Sequence, residues 1–208
     1  MRLKCKILLL ALAVGAVSCG GDAKTELFNG RDLTGWVCVT AGGPAAAEVF
    51  TVQDGCIRVA GQPFGFLRTA KQYGDYRLHA EWRWVGKPSN RGPFQRLQEG
   101  DELWPSLIEC QLESGNAGDL LGLGGATIAG VDSPEGGVPV TKRVGGASEK
   151  PAVAWNQAEG SCQGARLTRY GHAVLHNEAH GLDAPGASPH PLGGGPLEFR
   201  NIYLTEVE

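Results

Sequence analysis

The nine residues Tyr76–Trp84, YRLHAEWRW, decide the fold class of this chain. Large or apolar side chains occupy the even positions, whereas Arg, His, Glu and Arg occupy the odd positions. Because successive side chains of a strand point to opposite faces, this period of two predicts a strand with one core face and one polar face. The same phase places Trp82 and Trp84 in the core.

Other short stretches with the same period surround this strand. Ser106–Leu112 alternates in the same way, with Ile108, Cys110 and Leu112 on its apolar face. Asp54-Gly55 has the residues of a hairpin turn, and no stretch has a helical apolar stripe over three turns. We therefore predict an all-β sandwich or barrel. The other candidate strands are Val49–Val52, Cys56–Val59, Phe66–Thr69 and Leu197–Val207.

Charge and cysteine spacing exclude some classes of partner. The 208 residues carry a formal net charge of −3 and no Lys/Arg cluster, so we predict no nucleic-acid partner. The cysteines after Cys19 lack CxxC spacing, which argues against a zinc site. We predict no metal site and no cofactor from these residues, although the sequence does not exclude a requirement for a divalent metal ion. The pairing of these cysteines is also open, although Cys110 is predicted to be buried as a small apolar residue. They are Cys38, Cys56, Cys110 and Cys162.

Residues 1–18 have the pattern of a secretory signal peptide. A basic start precedes the apolar run Ile7–Val17, which is too short to span a bilayer. Ala16-Val17-Ser18-Cys19 resembles a lipobox, in which the cysteine carries lipid; an ordinary secretory signal with a chance cysteine is the alternative. We expect a lipidated tether over residues 19–25 and one domain over 26–208. The protein would then be exported to the periplasm or cell surface, and only its lipid anchor would contact a membrane.

The polar faces of the two clearest strands carry the candidate chemistry. Arg77, His79, Glu81 and Arg83 share one such face, and Glu109 and Gln111 share the other. If both strands belong to one sheet, these faces combine into one concave surface with two carboxylates, which is what acid–base work on sugars needs. The alternative is a solvated sheet face with weak cross-strand ion pairs. Three tryptophans near turns or strand ends are candidates for sugar stacking: Trp36, Trp104 and Trp155.

The order of motifs along the chain is similar to that of a known family. LFNGRDLTGW at 27–36 is followed by FLRT at 66–69, YGDY at 73–76, EWR at 81–83, SLIECQ at 106–111 and FRNI at 199–202. By these motifs the chain resembles the 3-keto-disaccharide hydrolase domain family from Glu26 to its C-terminus. The resemblance implies a concanavalin-like or jelly-roll β-sandwich of two antiparallel sheets with a concave sugar-binding sheet. It also implies action on 3-keto-glycosides by 1,2-elimination, and hydration of the resulting 3-keto-2-hydroxy-glucal.

This implied chemistry suggests roles for the polar residues. A ketone at C3 acidifies the C2 hydrogen, so a base can remove that hydrogen while the C1 substituent leaves, and a donor can stabilise the enolate oxygen. We assign Glu109 as one acid–base group and Glu81 as the weaker candidate for the other. Arg96 and Gln111 are expected to hold the 3-keto oxygen or a neighbouring hydroxyl. The remaining candidates for saccharide binding are Asn90, Arg83 and Trp104.

Two stretches depart from the family pattern. Residues 90–96, NRGPFQR, introduce a long cation and a proline into an expected strand. Between Glu159 and Gly195 the alternating apolar residues are lost, with Arg169 and Gly171 where valines belong. A compensated pair of frameshifts in the gene would explain such a bounded stretch, and it predicts a missing or badly formed strand there. Besides the enzyme, a non-catalytic carbohydrate-binding sandwich and an inactive, partly degraded family member remain open.

Overall fold

A computed structural model describes residues 23–41, 49–98, 102–132, 137–172, 174–179 and 196–207. The predicted signal peptide and Cys19 lie outside these residues. So does the proline-containing stretch 186–193, where the family pattern requires a strand. No helix in the described ranges is both long enough and apolar enough to cross a membrane.

Fourteen strands make up the secondary structure of the described residues. In chain order they are β1 Lys24–Glu26, β2 Trp36–Thr40, β3 Phe50–Gln53, β4 Cys56–Val59, β5 Gly65–Thr69, β6 Tyr76–Trp84, β7 Phe94–Gln95, β8 Leu107–Cys110, β9 Leu120–Leu123, β10 Val140–Thr141, β11 Asn156–Gln163, β12 Arg166–Gly171, β13 Val174–Ala179 and β14 Leu197–Glu206.

The strands form two packed layers, which confirms the predicted all-β sandwich. One layer is an antiparallel sheet in the order β13-β12-β11-β6-β14-β4-β3, with β1 also paired to β14. The second layer consists of two separate sheets, β10-β9-β8-β7 and β2-β5. Side chains of both small sheets pack on the same face of the large sheet, in three core clusters.

The second layer is divided between β5 and β7, at the predicted departure in residues 90–96. β7 spans two residues because Pro93 has no N–H to donate and Arg96 has a left-handed φ of 55°, which ends the extended backbone. The strand pairs with β8 on one side. On its other side Phe94 faces Phe66 of β5 across 6.0 Å between ring centroids.

The core face of β6 agrees with the prediction from its sequence. Ala80, Trp82 and Trp84 are buried, and the two indoles meet edge to face with centroids 6.0 Å apart. Burial of each of the two indole side chains contributes at least about 1.5–3 kcal/mol through its apolar surface. Cys110 is fully buried in the neighbouring cluster, also as predicted, and the four cysteines in the described residues are free thiols.

The predicted loss of strand structure after Glu159 is wrong for the described residues. β11 and β12 form a regular hairpin, and β11 pairs with β6 along its length. Every second residue of β11 points inward, and the inward residues Ala158, Gly160 and Cys162 are small and buried. The strand therefore keeps its period of two without large apolar side chains. The frameshift itself concerns the gene and stays a prediction.

Polar groups occupy the core where the alternating valines of the family are missing. Gly160 leaves room for the buried side chain of Gln95, whose Nε2 would lie 2.9 Å from any Cβ at position 160. Opposite Gly160, Arg169 is 2% exposed and donates to the Glu159 carbonyl at 3.4 Å, and burial lowers its pKa. At this end of the sandwich, two buried polar side chains therefore lie beside the apolar cluster of β8, β9, β11 and β12, and a well-formed hairpin closes it.

Candidate active site

A cavity of ≈ 850 Å³ occupies the division between β5 and β7. Its floor is the core face of the large sheet, where Leu78, Ala80 and Phe199 line it. One wall is β5 with the turn that follows it, and the other is the segment 91–98. The short β7 therefore produces an opening that reaches the middle of the sandwich.

Glu109 of β8 is a buried carboxylate that lines this cavity. Its side chain has 0% relative exposure, and neither carboxylate oxygen has a hydrogen-bond partner in the described part of the chain. Burial raises the pKa of Glu109 to about 7, with opposing stabilisation of the charge by Arg91 and a small further increase from Glu113. At neutral pH such a group can both accept and donate a proton.

The cross-strand partners of Glu109 explain its environment. Phe94 of β7 and Leu121 of β9 lie directly opposite it, so neither neighbour supplies a donor. Gly92 packs against its side chain, and a Cβ at position 92 would lie 2.9 Å from Glu109 Cγ and collide with the Cys110 carbonyl. The missing side chain of Gly92 is therefore a condition for the position of Glu109.

Four cations line the same cavity, while Glu109 is its one carboxylate among the described residues. Arg96 reaches Asp75 Oδ1 at 3.3 Å and also donates to the Gly164 carbonyl. Lys71 is paired with Glu206 at 3.1 Å in an exposed position. Because two of the four cations are paired with carboxylates, the excess positive charge is smaller than their number, but it still favours a ligand or transition state that develops negative charge. The four cations are Arg68, Lys71, Arg91 and Arg96.

Gln111 and Asn90 extend the face on which Glu109 lies. Backbone bonds from Cys110 N to the Pro93 carbonyl and from Leu112 N to the Arg91 carbonyl continue the β7–β8 register, which brings Gln111 and Asn90 to the Glu109 side. Gln111 Oε1 and Asn90 Oδ1 are buried and lack hydrogen-bond partners within the described residues. Unpaired buried acceptors are costly, and they match the hydroxyl donors of a sugar.

The prediction that Glu81 and Glu109 share one sheet face is wrong. Glu81 lies on the large sheet and Glu109 on a sheet of the second layer. Alternation specifies the side of a strand's own sheet that a residue occupies, but it does not specify which sheet the strand joins. The outward side of β6 points away from the second layer, so Glu81 cannot reach the cavity.

The predicted residues Glu81 and Arg83 belong to a network of ion pairs on the outer face of the large sheet. Arg200 Nε contacts Glu81 Oε2 at 2.7 Å, and Arg83 binds Glu198 through two nitrogens at 2.8 and 2.7 Å. Burial alone would raise the pKa of Glu81, but hydrogen bonds from Asn201 and Arg200 hold it below its usual value. Both guanidiniums lie over the ring of Trp155, at 4.5 and 3.9 Å. The alternative reading, a polar sheet face with cross-strand ion pairs, describes these residues.

The other two tryptophans proposed for stacking lie on the cavity side. Trp36 lines the cavity and donates its indole N–H to the Leu27 carbonyl at 2.7 Å. Trp104 stacks on Phe64, with ring centroids 4.0 Å apart, and Phe64 in turn lines the cavity. Trp104 therefore supports the wall through Phe64.

Several site residues were not identified from the sequence. Arg91 is one of the two departures in residues 90–96, and Gly92 matches the family motif, but the sequence alone assigns neither of them a role in the site. Arg68 and Lys71 were passed over inside and after the FLRT motif, because nothing in the sequence indicates that β5 borders an opening. In the part of the chain that the structure describes, no three His, Cys, Asp or Glu residues cluster as metal ligands.

Comparisons with known proteins agree with this architecture. Two proteins of Parabacteroides distasonis ATCC 8503, provisionally named glycosyl hydrolases, have similar structures. One has a TM-score of 0.60 at 17% identity over 89% of this chain and 100% of its own. The other has a TM-score of 0.58 at 18% identity, and the match covers 89% of this chain and 94% of that protein. A Bacillus licheniformis β-glucanase has a TM-score of 0.51 at 14% identity over 90% and 86%. At these identities the likeness shows a shared fold.

The sequence comparison adds the family. No curated protein matches the chain. Residues 23–205 match the profile of the 3-keto-alpha-glucoside-1,2-lyase-like domain, which agrees with the resemblance seen in the motifs and relates the chain to carbohydrate-acting, glycosyl-hydrolase-like proteins. Since the match spans most of the sequence, the chain belongs to the 3-keto-alpha-glucoside-1,2-lyase-like domain family.

Proposed function

We propose that this protein cleaves 3-keto-glycosides by acid–base elimination, with Glu109 as the proton-transferring group. The observation that carries the proposal is the Glu109 carboxylate, which is fully buried, has no hydrogen-bond partner in the described residues, and lines a cavity with four cations. A structural carboxylate is normally paired when buried. The lack of a partner is what a proton acceptor waiting for substrate requires.

In the proposed reaction Glu109 removes the hydrogen from C2 of the oxidised sugar. The C2–H electron pair first forms an enolate with its charge on the C3 oxygen. As the C3=O bond re-forms, the C1=C2 bond forms, the C1–O bond breaks, and the proton passes from Glu109 to the leaving oxygen. Negative charge that develops on the C3 oxygen is stabilised by a guanidinium, for which Arg91 is the candidate because it already acts electrostatically on Glu109. Glu109 thus serves first as base and then as acid, and the distant Glu81 is not needed.

The same carboxylate is proposed to assist the hydration that follows. Water adds across the C1=C2 bond, with hydroxyl at C1 and hydrogen at C2, so the net result is hydrolysis of the glycoside. Gln111 and Asn90 carry buried oxygen acceptors that have no partner in the described part of the chain, and they are assigned to sugar hydroxyls. Arg96 is assigned to the substrate side of the cavity, which it lines.

The proposal is tested with 4-nitrophenyl 3-keto-glucoside in both anomeric forms, by following 4-nitrophenolate release. We expect turnover of the keto substrate and none of the unoxidised glucoside, because only the ketone acidifies C2–H. Deuterium at C2 should slow release by a primary isotope effect. Equal release from both substrates would exclude the elimination, and binding without release would indicate a carbohydrate-binding module.

We also propose that the protein is exported and anchored through a lipid on Cys19. The support is the basic start, the apolar run Ile7–Val17 and the lipobox-like residues before Cys19. Mass spectrometry of the membrane fraction should find a mature N-terminus at Cys19 with a diacylglyceryl group. An unmodified N-terminus at another residue would contradict this.

A further inference from the structure

The cavity has a polar side and an apolar side. Glu109 and the cations come from β8, the segment 91–98 and the end of β5 with its following turn. The apolar side is the floor, which is formed by the core face of the large sheet. Its residues include Leu78, Ala80, Phe199, Ile57 and Ile202. Among the described large-sheet residues that line the cavity, Tyr76 is the one with a polar side-chain group, and its hydroxyl already donates to Gln95 Oε1 at 2.6 Å.

This division limits what lies beside the sugar at Glu109. The volume of ≈ 850 Å³ is within the range of about 300–1,000 Å³ typical of ligand pockets. A second sugar on the floor would lose water from its hydroxyls and gain no partner there, which is unfavourable. A flat apolar group would bury its surface favourably against the same residues.

We propose that the apolar floor binds an aromatic aglycone, so that the substrates are aryl glycosides oxidised at C3 rather than 3-keto-disaccharides. This rests on the proposed function for the placement of the sugar at Glu109. Phe66 and Phe94, one from each wall, pack against each other with ring centroids 6.0 Å apart and add aromatic surface beside the floor. The aglycone reaches this floor through the gap that the short strand β7 leaves in the second layer.

The first test compares two leaving groups of similar acidity and different apolar area. We expect kcat/KM for the 2-naphthyl 3-keto-glucoside to exceed that for the phenyl compound by about tenfold, because the second ring buries more apolar surface. The corresponding 3-keto-disaccharide should be turned over more slowly than either. A naphthyl-to-phenyl ratio near one, or a preference for the disaccharide, would overturn the inference.

The second test uses matched variants of two cross-strand neighbours. Ala80 and Ala158 are paired across β6 and β11 and are equally buried at 4% exposure, but Ala80 lines the cavity and Ala158 does not. Ala80→Leu should reduce the naphthyl-to-phenyl ratio to about one, whereas Ala158→Leu should retain the wild-type ratio. The same change of ratio in both variants would contradict a specific role for the floor.

Calorimetric titration of the wild-type protein with 2-naphthol separates this inference from the proposed reaction and needs no variant to fold. We expect saturable binding of one 2-naphthol per chain. Failure of 2-naphthol to bind would overturn the inference even if methyl 3-keto-glucoside is cleaved. Binding of 2-naphthol without cleavage of any 3-keto-glycoside would keep the apolar site and reject the proposed function.

Discussion

The two carboxylates Glu81 and Glu109 lie on strands with similar sequence patterns, but their pKa values are shifted in opposite directions. Glu81 faces outward from the large sheet, and its cross-strand neighbours are Gln157 and Arg200. Glu109 lies in the second layer between Phe94 and Leu121. Hydrogen bonds from Asn201 and Arg200 outweigh burial and lower the pKa of Glu81, whereas burial between apolar neighbours raises the pKa of Glu109 to about 7. The partners across the strands therefore decide which carboxylate is available for chemistry.

The largest effect should appear when the same substitution is made at both positions. Glu109→Gln keeps the side-chain shape but cannot exchange a proton, so turnover of a 3-keto-glucoside should fall by about 10²- to 10⁴-fold. Glu81→Gln should stay within a few-fold of wild type, because Glu81 lies outside the cavity. Steady-state rates with matched circular dichroism spectra measure this, and a larger loss in Glu81→Gln would reverse the assignment.

The buried charge of Glu109 should also appear in the stability of the protein. Its pKa is about 7 in the folded state and near the ordinary value of 4.5 when unfolded, so the protonated form favours folding. Stability from this group is complete below pH 4.5 and is lost as pH rises through about 7, an effect of about 3 kcal/mol. Urea unfolding of wild type and Glu109→Gln at pH 5 and 8 isolates it, and we expect the variant to be the more stable protein at pH 8. Equal pH dependence in both proteins would mean that Glu109 is ordinarily solvated.

A substitution at Gly92 should displace the Glu109 carboxylate without changing Glu109 itself. Gly92→Ala forces either the Glu109 side chain or the Cys110 backbone to move, which should cost about 1–3 kcal/mol of stability and reduce turnover by about 10²-fold. Gly146 has open space at the Cβ position, so Gly146→Ala is the matched control and should be near wild type. Wild-type kinetics in Gly92→Ala would show that the close packing at position 92 does not hold Glu109 in place.

The sequence predicted the fold class well, because single strands carry their own pattern. The alternation in β6 correctly placed Trp82 and Trp84 in the core. The departure from the family pattern in residues 90–96 coincides with the two-residue strand β7. Strand pairing was the weak point: parity could not assign β6 and β8 to different sheets, which depends on long-range contacts. The hairpin after Glu159 was missed because small residues carry its period of two.

The candidate site was only partly predictable for the same reason. Glu109, Arg96, Gln111 and Asn90 were identified from their strand face or family motif, and the cavity brings Glu109 and Arg96 together. Glu81 and Arg83 had equally good local patterns, yet their neighbours across the sheet turn them into ion pairs. Arg68 joins the site because the second layer is divided, and that division is a property of the packed layers.

The pH dependence of kcat/KM on a 3-keto-glucoside tests the role of Glu109 most directly. If Glu109 is the base, activity should rise with pH through about 7 and level off above it, because only the ionised carboxylate can take the C2 proton. The Glu81→Gln variant should show the same rising limb. A profile that is flat from pH 5 to pH 9, or a limb near the ordinary pKa of a glutamate, would contradict the account.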